Sequence, residues 1–128
     1  MPAQRLPMAA LLVAATLLAG CQSRPPAAPV DAARAEATLE KVLDGWKEGA
    51  TPDHFRQSEP AIVVQDLDWQ GGMVLVDYEV QKPGQPQDAN LLCDVRLKLT
   101  DPQGAPLEKT VTYIIGTDPV LTVFRKLF

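Results

Sequence analysis

The chain has 128 residues, a formal net charge of −4 and 46% hydrophobic residues, which is the length of one domain on a scale of roughly 100 to 200 residues each. Its mildly acidic balance, with 12 Lys and Arg against 16 Asp and Glu, excludes the concentrated basic face that nucleic-acid binding requires. It also gives no attraction to anionic lipid headgroups.

The first segment is uncharged from Leu6 to Gly20, with Arg5 as the one charge before it. A positive start, an apolar stretch of about 7 to 15 residues and small residues at its end are the order of a secretory signal. A spanning helix would need roughly 20 apolar residues; this stretch is shorter and has Pro7 near its start. Leu18, Ala19 and Gly20 then lead directly into Cys21. That Leu-Ala-Gly-Cys sequence behind a signal resembles the bacterial lipoprotein pattern. The resemblance implies cleavage after residue 20, diacylation of the Cys21 thiol, and attachment to a membrane through acyl chains such as palmitate. Each buried methylene contributes about 0.8 kcal/mol and stable anchoring takes more than one chain. The residue after the cysteine is Gln22, not Asp, and in the bacterial scheme this favours the outer membrane, with the domain in the periplasm or at the cell surface.

Residues 21–30 read as a tether. Pro25, Pro26 and Pro29 favour an extended polyproline conformation at about 3.1 Å per residue, a reach of roughly 25 to 30 Å. The globular domain is expected over residues 31–128. Asp31 is placed to cap a helix running to about Glu48, with Leu39, Val42, Leu43 and Trp46 at helical spacing and Gly49 as the stop. Trp46 on that stripe is expected in the core. Thr51, Pro52 and Asp53 open a second, short helix. His54, the single histidine, falls in this helix as an exposed or capping side chain.

Downstream the pattern is that of strands. Ala61–Asp66 is short and β-branched, and the glycines after Trp69 mark a turn. In that turn Trp69 is a candidate partner anchor if exposed, because an exposed tryptophan can dominate an interface; the alternative is a ring folded back over the sheet edge. Asp66 and Asp68 are expected as turn acids; a calcium loop would need more oxygen ligands at defined spacing. Residues 73–80 place Val74, Val76, Tyr78 and Val80 on one face and Asp77 and Glu79 on the other. Residues 81–89, rich in proline and glycine, read as an open loop, a candidate contact surface over 82–89. Leu91, Cys93, Val95, Leu97 and Leu99 then alternate with Leu92, Asp94, Arg96, Lys98 and Thr100, so Cys93 is expected on the apolar face as a small hydrophobe. Asp101–Gly104 is a turn tetrapeptide. The last two strands carry Val111, Tyr113 and Ile115, then Leu121, Val123 and Arg125 opposite Val120, Thr122 and Phe124.

Helices followed by about five strands with short turns imply an α+β domain: an amphipathic helix and a short helix packed on a curved antiparallel sheet. The order resembles the cystatin-like or ketosteroid-isomerase-like cone. Trp46, Lys47 and Gly49, the turn residues Asp66, Asp68 and Trp69, and the segment from Tyr113 to Arg125 also resemble a group of small bacterial proteins without assigned chemistry. Ketosteroid-isomerase-type catalysis would need a carboxylate base inside the cavity with an oxyanion donor pair. Asp77, Glu79 and Asp94 alternate to the polar face, while Tyr78 and Tyr113 point inward as packed aromatics with satisfied hydroxyls. The spacing yields no transition-metal ligand set, no cofactor motif, and neither a nucleophile elbow nor a phosphate loop. The expectation is a membrane-tethered, non-enzymatic binding or interaction module with an envelope protein as its partner. The alternative is a small-molecule-binding, hydrolytic or isomerase-like protein using the cavity between helix and sheet.

Overall fold

A computed structural model describes Ala3 and residues 28–128. The signal, Cys21 and most of the tether therefore lie outside the described residues. The domain is α+β: a few helices packed against a strongly curled six-stranded sheet.

Helix α1 spans Ala32–Lys47, and the Asp31 carboxylate accepts the Arg34 N–H at 3.1 Å as its cap. It buries Ala35, Thr38, Leu39, Val42, Leu43 and Trp46, the stripe expected from their spacing. After Glu48 the chain leaves the helix through Gly49 at φ +89°, a left-handed conformation that suits glycine. The short α2, Pro52–Arg56, has Pro in its first turn and buries Phe55.

The strands are β1 (Ile62–Gln65), β2 (Val74–Val80), β3 (Gln85–Gln87), β4 (Asn90–Thr100), β5 (Pro106–Gly116) and β6 (Leu121–Arg125). The path runs β1-β6-β5-β4-β2, with β3 also on β4. β4 and β5 pair along their whole length, from Asn90 opposite Gly116 to Thr100 opposite Pro106, and form the spine of the sheet. Its concave face carries Leu91, Cys93, Val95, Leu97 and Leu99 from β4 and Tyr113 and Ile115 from β5, all buried in one core cluster with the α1 stripe. Fully burying side chains of this size contributes roughly 1.5 to 3 kcal/mol each. Outside, charges alternate across the strands: Asp77 faces Lys98, which faces Glu108, and Glu79 faces Arg96. Opposite charges in such register support the pairing and keep the outer face wet.

Four features differ from the sequence-based expectation. The sheet is mixed, because β1 pairs with β6 in parallel, Ile62 opposite Leu121 through Gln65 opposite Phe124. The chain between β1 and β2 is no tight turn; it holds a one-turn helix α3, Leu67–Gln70, which carries it across the fold and leaves β1 beside the last strand. Within β2 the register shifts between Leu75 and Asp77, a bulge that reverses the face assignment. Leu75 is thus buried at 1% exposure while Val74 and Val76 stand 54% exposed; beyond the bulge Tyr78 regains the inner face opposite Leu97. Finally, the expected loop over 82–89 contains β3, whose Gln85 and Gln87 pair with Leu92 and Asn90 of β4.

Candidate functional site

The densest group of ionisable side chains forms where β1 runs into α3. Asp66 is 2% exposed. As the cap of α3, its Oδ1 accepts the N–H groups of Asp68 and Trp69 at 3.0 and 3.3 Å. The same oxygen accepts Nη1 of Arg125 at 3.0 Å, and Oδ2 accepts the Tyr113 hydroxyl. Arg125 also donates Nη2 to Asp68 at 2.6 Å, and Lys109 of β5 reaches the same Asp68 oxygen at 2.7 Å. Two carboxylates and two cations therefore balance one another across α3, β5 and β6.

The electrostatics follow from that geometry. Burial alone would raise the Asp68 carboxyl, but the hydrogen bonds and charges of Lys109 and Arg125 outweigh it and hold the group below its ordinary value. The Tyr113 hydroxyl is pushed far up, first by burial and then by the charge and hydrogen bond of Asp66. It therefore stays protonated and acts as a donor. A carboxylate offers about four lone-pair sites, and Asp66 receives four donors, three on Oδ1 and the Tyr113 hydroxyl on Oδ2. Its work is to clamp α3 onto β5 and β6 of the sheet.

Trp69 is held by that clamp. Of the two placements the turn allowed, the ring takes the folded-back one: it is 8% exposed and stacks on Trp46 with centroids 4.9 Å apart and planes 5° apart. Its indole N–H donates to the Ala50 carbonyl at 3.1 Å, and that of Trp46 donates to the Met73 carbonyl at 3.0 Å. Phe55 meets Trp69 edge-on at 6.0 Å. Trp69 thus closes the core beneath α3 and offers no ring to a partner, because the turn that carries it is a helix capped from inside.

The remaining sequence-derived residues separate. His54 is exposed, with its ring edge-on to Phe55 at 5.3 Å. Asp77 is on the outside and receives Lys47 at 3.3 Å, and Asp94 accepts the Thr112 hydroxyl at 2.6 Å. Tyr78 is half-buried and donates to Asp44 at 2.8 Å. Cys93 is a buried free thiol. Among the described residues no group of three or more His, Cys, Asp or Glu side chains is placed to hold a metal, and no helix is long and apolar enough to cross a membrane.

Sequence reasoning missed Asp66 and Arg125 as a pair. One signal was present: the alternation of β6 puts Arg125 on the same face as Leu121 and Val123, and an inward arginine demands a buried acceptor.

Two open surfaces adjoin these elements. A shallow cavity of about 190 Å³ lies over the Asp66–Arg125 pair, rimmed by Leu67 and Leu127. A larger cleft of about 300 Å³ lies between α1 and the β2–β3 edge, with Leu39, Val80 and Cys93 below and Glu36, Glu40 and Lys82 around it. Set against protein-family models, curated proteins and solved structures, the chain matches none of them.

Proposed function

We propose that the chain is a bacterial lipoprotein whose folded domain, held by acyl chains on Cys21, serves as a non-enzymatic binding or interaction module of the cell envelope, favoured at the outer membrane. The observation that carries this reading is Leu18-Ala19-Gly20-Cys21 directly behind the uncharged stretch Leu6–Gly20. The order of charge, apolar run and small residues is that of an export signal, and a cysteine at its end is where the lipid is added.

Two features of the domain support the reading. Its interior is filled by large side chains, among them Trp46, Phe55, Trp69 and Tyr113, so interaction through outer surfaces and edges fits better than chemistry in a central chamber. The chain also enters the domain at one end of the sheet, where the Val30 N–H donates to the Asp88 carbonyl at 3.3 Å and the Asp31 N–H to Thr117 Oγ1 at 3.2 Å. The tether then starts from the end that carries the β3–β4 and β5–β6 turns, and in this reading that end faces the bilayer. The opposite end, with α3 and the Asp101–Gly104 turn, faces the partner.

A second reading uses the helix–sheet cleft for a small molecule. Its volume of about 300 Å³ stands at the lower limit of ligand pockets, roughly 300 to 1,000 Å³. The carboxylates of Glu36 and Glu40 are exposed at its rim, an arrangement suited to binding more than to proton abstraction.

The anchor is tested by labelling cells with a tagged palmitate and replacing Cys21→Ser. Label on the wild-type chain and none on the variant, which becomes soluble or stays unprocessed, is the expected result. Equal membrane recovery of the two, without label on either, contradicts the reading.

A further inference from the structure

We draw no further inference here: the strongest candidate, the open groove of the sheet where Val74 and Val76 of the edge strand β2 stand exposed beside Pro106 and Leu107 of β5, is an unpartnered apolar surface and nothing in the structure shows what covers it.

Discussion

Tyr113 donates its hydroxyl to Asp66, a residue 47 positions earlier in the chain, and both side chains are buried. The bond joins the middle of the sheet to the cap of α3, and Arg125 bonds to the same carboxylate from β6. Removing Asp66 leaves a buried tyrosine hydroxyl and two helix N–H groups without their acceptor and takes one of its two carboxylate partners from Arg125. Asp66→Ala should cost about 3 to 5 kcal/mol, the range for breaking a buried pair from one side. Tyr113→Phe removes one hydrogen bond to a charged acceptor and should cost about 1.5 to 3 kcal/mol. Urea unfolding of both single variants and the double variant gives the coupling. Additivity within about 0.5 kcal/mol would show that the two residues do not act together.

Acid should loosen the same corner through Asp68. Its folded carboxyl titrates below the ordinary 3.8, so the folded state binds fewer protons than the unfolded one in that window. The stabilisation is therefore complete above about pH 4 to 5 and is lost as pH falls through the folded value. Asp68→Asn should flatten the acid limb of a plot of unfolding midpoint against pH. An acid limb as steep in the variant as in the wild type would place the effect on other carboxylates.

Much of the fold is legible from local pattern. The α1 stripe, the Pro-opened α2 and the alternation of β4 and β5 are regular over their lengths, and period decides their faces. What escaped was short or non-local. A helix of four residues such as Leu67–Gln70 is too brief to show a period, so its glycine exit reads as a turn and leaves the placement of Trp69 open. The bulge after Leu75 reverses parity without any composition signal. The parallel pairing of β1 with β6 joins segments about sixty residues apart, beyond what turn lengths report. Of the candidate site, the lipid attachment proposed at Cys21 rests on a local sequence pattern; the Asp66 clamp exists only once distant strands are paired.

The two tryptophans should report their stack directly. With planes 5° apart at 4.9 Å, they should couple and give a strong near-UV circular dichroism signal. Trp69→Ala should abolish that signal and cost about 3 to 5 kcal/mol, and Trp69→Phe should retain more of the stability. A near-UV spectrum unchanged by Trp69→Phe would mean that the rings are not stacked.

Cys93 should behave as a core atom, not a reagent. Its rise from 9.0 to about 11 lowers the thiolate fraction on the order of a hundredfold near pH 8, and the side chain is buried as well. Alkylation by iodoacetamide should be slow in the native chain and fast in urea. Since the folded value is the higher one, the thiol's contribution to stability is present below about pH 9 and falls as pH rises towards 11. Cys93→Val should remove that part of the alkaline limb. Equal alkylation rates with and without urea would contradict this placement.

The central claim is that Cys21 holds the domain to a bacterial membrane, and the intact mass of the wild-type protein extracted from such membranes tests it most directly. The account predicts a chain that begins at Cys21 and carries the added mass of its acyl chains. A chain that retains residues 1–20, or one that begins at residue 21 with an unmodified thiol, would contradict it.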